Sequence, residues 1–118
     1  MTIIEKVRAR GHLVTLTLAG SPYDDEFLAH LQNEVEKRDW VDLRVALGRE
    51  ELDQTISRHA FGIHGKQNEP YGMAVAELVL GGCLTFVPDS GGQVEIACLP
   101  ELCFSGVEQA VDLSLIHI

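Results

Sequence analysis

Glu69 and Glu77 stand eight positions apart in the stretch NEPYGMAVAE, residues 68–77, with Pro70, Tyr71, Gly72 and Met73 between them. A carboxylate accepts strong, charge-assisted hydrogen bonds, so an acid at each of two places along one cleft suits the gripping of vicinal hydroxyls. Pro70 favours the first position of a helix, where its missing N–H costs nothing. The N–H groups that follow, those of Tyr71, Gly72 and Met73, then come before the first intrahelical bond. A helix N-terminus of this kind, with a glycine for close approach, suits an anion such as a diphosphate. The spacing fits a sugar–diphosphate–ribose ligand with one acid at each carbohydrate end. Each acid also has a plainer reading: Glu69 as a capping acid stabilised by the helix dipole, Glu77 as a solvent-facing helix residue.

A second glycine-rich stretch, DSGGQVE at residues 89–95, contributes Ser90, Gly91 and Gly92 and ends on Glu95. His64 closes a short strand just before the loop GKQNE. It reads either as a hydrogen-bonding group for a sugar or phosphate or as a loop histidine bonded to backbone. Lys66 reads as a solvated loop lysine, and His59 as a packing residue. Gly48 and Arg49 open another loop after a strand.

The elements that must position these residues follow from periodicity and punctuation. Residues 2–11 carry Ile3, Ile4 and Val7 on one face and then Gly11, which predicts a helix with a glycine stop. LVTLTL, 13–18, predicts a buried strand ending in the loop AGSP. Residues 24–38 place Phe27, Leu28, Leu31 and Val35 at helical spacing, with acids in the first turn and bases in the last. DLRVAL, 42–47, predicts the next strand, and REELDQTISRH after Gly48 an amphipathic helix. AFGIH at 60–64 and LTFVP at 84–88 predict strands that flank a helix from about Pro70 to Leu80. A short helix opening near Gly92, a short strand near Cys103 and a further helix start complete the series.

This alternation implies a Rossmann-like parallel α/β sheet with helices on both faces. In such sheets ligands bind at the carboxyl ends of the strands. The glycine-bearing loops AGSP, LGRE, HGKQNEPYG and DSGG fall at those ends.

The bulk properties narrow the function classes. The chain has 118 residues, enough for one modest core. A formal net charge of −9 argues against nucleic acid as a main partner. Cys83, Cys98 and Cys103 are an odd count without CxxC spacing, which favours free thiols in a reducing compartment over a disulfide framework or a metal site. No apolar run reaches the roughly 18 residues of a membrane span, and the N-terminus lacks a signal-peptide apolar region. The expected location is the cytoplasm. The final LSLIHI is what the transposon-end adapter codons CTG TCT CTT ATA CAC ATC encode. Residues 113–118 are therefore expected to be an adapter-derived tail and residues 1–112 the native part; the alternative is a genuine apolar strand.

Residues 64–96, HGKQNEPYGMAVAELVLGGCLTFVPDSGGQVEI, resemble the donor-binding core of retaining GT-B glycosyltransferases of the family 4 type. The pattern is E-x7-E from Glu69 to Glu77, a small-residue turn at 80–82, a strand, and GG-x-x-E from Gly91 to Glu95. LTLAGS and DLRVALGREEL also resemble upstream segments of that family, so the resemblance covers about residues 2–112. It implies the C-terminal, nucleotide-sugar-binding half of a GT-B fold, in partial form. The implied reaction moves a hexose from a UDP- or GDP-linked donor to an acceptor hydroxyl with retention, with the nucleotide-sugar as substrate and no cofactor or catalytic metal. Glu69 would be the catalytic residue, contacting hexose hydroxyls, and Glu77 would hold the ribose. Pro70, Tyr71, Gly72 and Met73 would line the sugar and diphosphate, and Ser90, Gly91 and Gly92 the neighbouring loop. Gly48 and Arg49 would lie near the base, and His64 near the sugar or phosphate. The family's diphosphate-neutralising Arg/Lys pair has no match in the chain and is expected upstream of Met1, as is the acceptor-binding N-terminal domain. The fragment alone is expected to be inactive. The alternative is a non-catalytic α/β nucleotide-binding module. A receiver-like domain fits poorly, because Asp24 and Asp25 read as first-turn helix acids.

Overall fold

A computed structural model describes residues 1–20, 24–65, 72–97 and 99–117. In chain order the elements are α1 (Thr2–Ala9), β1 (Leu16–Gly20), α2 (Asp25–Glu36), β2 (Val41–Val45), α3 (Arg49–Ser57), β3 (Phe61–Ile63), α4 (Met73–Leu80), β4 (Leu84–Pro88), α5 (Gln93–Ala97), a 3-10 turn (Pro100–Leu102), β5 (Cys103–Phe104) and α6 (Val107–His117). The fold is α/β, with parallel strands flanked by helices, as the alternation predicts. The chain divides into two compact units, Met1–Leu52 and Asp53–Ile118, with the division inside α3. Among the described residues no helix is long and apolar enough to cross a membrane.

In the first unit β1 pairs in parallel with β2, from Leu16 opposite Val41 to Gly20 opposite Val45. The strand predicted from residue 13 starts three residues later. Leu16 N–H donates to Trp40 O at 2.9 Å, so the partner strand sets where the ladder begins, and Leu13 is left 91% exposed. Asp24 caps α2 by accepting from the Phe27 N–H at 2.6 Å. Lys37 and Arg38 lie just past the helix end and turn back on it. Lys37 Nζ meets Glu34 at 3.0 Å, and the Arg38 guanidinium bridges Glu34 and Glu5 of α1. Hydrogen bonds from Lys37 first, then Arg38, hold the Glu34 carboxyl below the usual carboxylate range.

In the second unit three parallel strands run in the order β3–β4–β5. β4 is central, and its residues from Thr85 to Pro88 are all buried, as befits a strand covered on both faces. Val75 of α4, Val87 of β4, Ala97 of α5 and Cys103 of β5 form the core, with Val94 and Ile96 packed against it. His59 is half-buried, with Nδ1 at 2.7 Å from Thr55 O. The thiols of Cys83 and Cys103 are free and buried. Cys83 Sγ donates towards His59 O at 3.3 Å and Ile56 O at 3.6 Å. Burial pushes both thiols up, and the carboxylates of Asp89 and Glu101 add to the effect at Cys103. Cys98 lies outside the described residues.

Residues 113–117 continue α6 rather than forming the strand held as the alternative for this segment. Ser114 is buried and donates to Ala110 O at 2.8 Å.

Glycines let α4 lie close to β3 and α3. A methyl group on Gly62 would come within 2.9 Å of Leu78 Cδ1. One on Gly81 would collide with Ile56 Cγ2, and Ile56 is itself buried. Gly81→Ala is therefore expected to destabilise the chain by about 1–3 kcal/mol through overpacking, read as a lowered midpoint of thermal or urea unfolding. An unchanged midpoint would mean that Ile56 of α3 does not press on Gly81.

Candidate functional site

The carboxyl ends of β3, β4 and β5 meet at one edge of the second unit's sheet. His64 follows β3, and its N–H donates to Phe86 O at 3.0 Å, so it stays tied to the neighbouring strand as the chain leaves the sheet. Its side chain is half-buried. After β4 the chain turns through Asp89–Gly92. Asp89 N–H donates to Phe104 O at 2.7 Å and Ser90 N–H to Pro88 O at 2.8 Å, which fixes the start of the turn. Gly91 takes φ 74°, a left-handed value that glycine adopts without strain. α5 opens directly afterwards, with Glu95 N–H on Gly92 O at 3.2 Å.

α4 begins later than its sequence predicts. Its N-cap is Gly72 at φ 70°, ψ 42°, and the first intrahelical bond runs from Ala76 N–H to Gly72 O at 2.9 Å. The N–H groups that precede this bond are those of Gly72, Met73, Ala74 and Val75, not those of Tyr71, Gly72 and Met73. The expected first helical position at Pro70 is thereby corrected to Met73. The physical reason is packing. A methyl on Gly72 would lie 3.1 Å from Gln93 Cα, 3.1 Å from Ile96 Cδ1 and 3.2 Å from Gln93 Cβ. The chain turns in a left-handed conformation against α5, and the helix can only propagate from there.

The structure thus brings Gly72 against Gln93 and Ile96 of α5, the helix that follows the loop of Ser90, Gly91 and Gly92, so that α4 and α5 start side by side. Met73 is 73% exposed at the mouth of α4. Because α4 starts at Met73, Glu77 lies four residues into it, about 6 Å along the axis. Val75 is fully buried, and Glu77, two residues on, projects from a face turned about 160° away and is half-buried. Its side chain is therefore not lost to the core. Gly48 and Arg49 are exposed and belong to the first unit, where they form the step from β2 into α3. Glu69, Pro70 and Tyr71 lie outside the described residues, as do Lys66 and the loop residues Ser21 and Pro22.

One residue of the site carries no signal in the sequence. Gln93 fills a variable place in GG-x-x-E, yet it is fully buried and its Nε2 donates to Ser90 O at 2.9 Å and Pro88 O at 3.4 Å. A polar residue next to a glycine pair at a helix start is ordinarily read as solvent-facing, and only the three-dimensional packing shows otherwise.

No protein-family model matches the chain. Three curated proteins are similar to it, each named GDP-Man:Man(3)GlcNAc(2)-PP-Dol alpha-1,2-mannosyltransferase. The one from Dictyostelium discoideum is 31% identical over 59% of the chain, the one from Mus musculus 30% over 75%, and the one from Candida albicans 33% over 66%. The chain spans only 14% to 19% of the length of these relatives. By sequence, then, the chain is related to glycosyltransferases that carry mannosyl groups.

Proposed function

We propose that the chain is the donor-binding part of a retaining GT-B glycosyltransferase of the family 4 type, with GDP-mannose as the donor. The observation that carries this reading is the pairing of two helix starts, at Gly72 and Gln93, beside the glycine turn at the carboxyl edge of β3–β4. Backbone N–H groups at such a place, reinforced by the helix dipole of α4, stabilise a diphosphate as it departs. The relatives support the choice of GDP-mannose, since their names specify that donor.

In the proposed mechanism the acceptor hydroxyl attacks the anomeric carbon on the face from which the diphosphate leaves. The bond to the diphosphate breaks, and the leaving phosphate accepts the hydroxyl proton. Glu69 accepts hydrogen bonds from the hexose hydroxyls and Glu77 from the ribose. His64, Pro70, Tyr71, Met73 and Ser90 line the donor. An Arg/Lys pair and an acceptor domain N-terminal to residue 1 complete the enzyme. It works in the cytoplasm on its substrates alone, without a cofactor.

Calorimetric titration of the full-length protein with GDP, paired with a transfer assay from GDP-mannose, tests this. Loss of a charge-assisted contact to the ribose should make GDP binding by Glu77→Ala about tenfold weaker. An unchanged affinity would remove Glu77 from the ribose site. GDP binding without any mannosyl transfer would favour the non-catalytic module, and no nucleotide binding at all would sink both readings.

A further inference from the structure

Gln93 is the first residue of α5, and its side chain is 0% exposed. The carbonyls that accept from its Nε2, those of Pro88 and Ser90, bracket Asp89 at the start of the turn that carries Gly91 and Gly92. The Cα and Cβ of the same residue form the surface on which Gly72, the cap of α4, rests. One side chain therefore fixes the loop after β4, and one backbone position ties that loop to the start of α4. An apolar residue of equal length would fill the space without either bond, and a shorter amide would not reach both carbonyls.

Resting on the donor-binding reading above, we propose that Gln93 is a positioning residue for the donor. It holds Ser90 so that the backbone N–H groups of Gly91 and Gly92 are presented beside the α4 N-terminus, and it does so without touching the donor itself. A loop that spends only part of its time in the competent orientation weakens binding by that fraction, while the chemical step, once the donor is seated, is unaffected. The effect belongs in KM rather than kcat.

The test uses Gln93→Met in the full-length protein, with GDP-mannose as the variable substrate and amide hydrogen exchange measured on the unliganded protein. KM for GDP-mannose is expected to rise at least about fivefold while kcat stays within about twofold. Exchange at Ser90, whose N–H donates to Pro88 O, is expected to quicken at least about tenfold, with β4 unchanged. An unchanged KM, or unchanged exchange in the loop, overturns the proposal. So does a smaller folded fraction with normal KM, which is the mark of a residue that only supports the fold. Where Gln93→Met does not accumulate, Gln93→Asn, one methylene shorter, is read by the same criteria. Faster loop exchange in a protein whose wild type neither binds nor uses any nucleotide-sugar would uphold the loop-holding role of Gln93 and overturn the donor-binding reading, so the two failures are distinguishable.

Discussion

Gly72→Ala is expected to weaken both the fold and the site. Gly72 sits at φ 70°, ψ 42°, where an alanine costs about 1–2 kcal/mol more than a glycine. The new methyl would also press on the Cα of Gln93, at 3.1 Å. Backbone of this kind cannot rotate away as the tip of a side chain can, so overpacking adds about 1–3 kcal/mol. Together the two terms put the loss of stability at about 2–5 kcal/mol, a large share of the margin of a small domain. Urea unfolding reads it directly. Gly82→Ala is the control, because Gly82 has φ +94° but open space around it, and isolates the conformational part. Equal losses at the two positions would show that the contact between Gly72 and α5 contributes nothing. Variant protein that remains folded should bind GDP at least about tenfold more weakly, since the start of α4 is displaced from the neighbouring turn.

Glu69→Ala is expected to lower mannosyl transfer by the full-length enzyme at least tenfold, equivalent to about 1.4 kcal/mol of transition-state stabilisation, with GDP binding nearly unchanged. The asymmetry follows from the proposed roles. Free GDP carries a ribose for Glu77 but no hexose for Glu69. Removal of Glu69 is therefore invisible in a GDP titration and visible in turnover. Steady-state kinetics beside the titration separates the two, and unchanged turnover would remove Glu69 from the hexose site.

Most of the fold was legible in the sequence because its signals are local. LTFVP reads as a buried strand and is one over Leu84–Pro88, and REELDQTIS opens on acids after a glycine and forms α3. Asp24, which the sequence places among the first-turn acids with Asp25, lies one position outside α2 as its N-cap. The misreadings share a cause. β1 starts at Leu16 because its ladder with β2 starts there, and an apolar run cannot reveal the register of a partner. α4 starts at Met73 because Gly72 turns against α5, a contact across twenty residues that outweighs the local preference of Pro70 for a helix start. α2 has the pattern of a helix with one apolar face, yet Phe27 is 47% exposed, because periodicity gives the face and not what covers it. The candidate site was legible as two glycine-bearing loops with acids. The role of Gln93 was not, since burial of an amide is decided by which carbonyls it meets.

Among the described residues of the second unit, the two buried thiols act as a built-in clock. Cys83 and Cys103 are closed off from reagents in the folded chain, and their protonated forms are favoured there. An alkylating reagent can reach them only while the unit is open, so the pace of labelling counts openings rather than measuring thiol reactivity. The same burial sets a direction with pH. The unfolded thiols ionise more readily than the folded ones, so the stability they lend is whole at neutral pH and is lost as alkalinity rises through the thiol range. The clock therefore runs faster in alkaline solution for two reasons at once: more openings, and more thiolate at each.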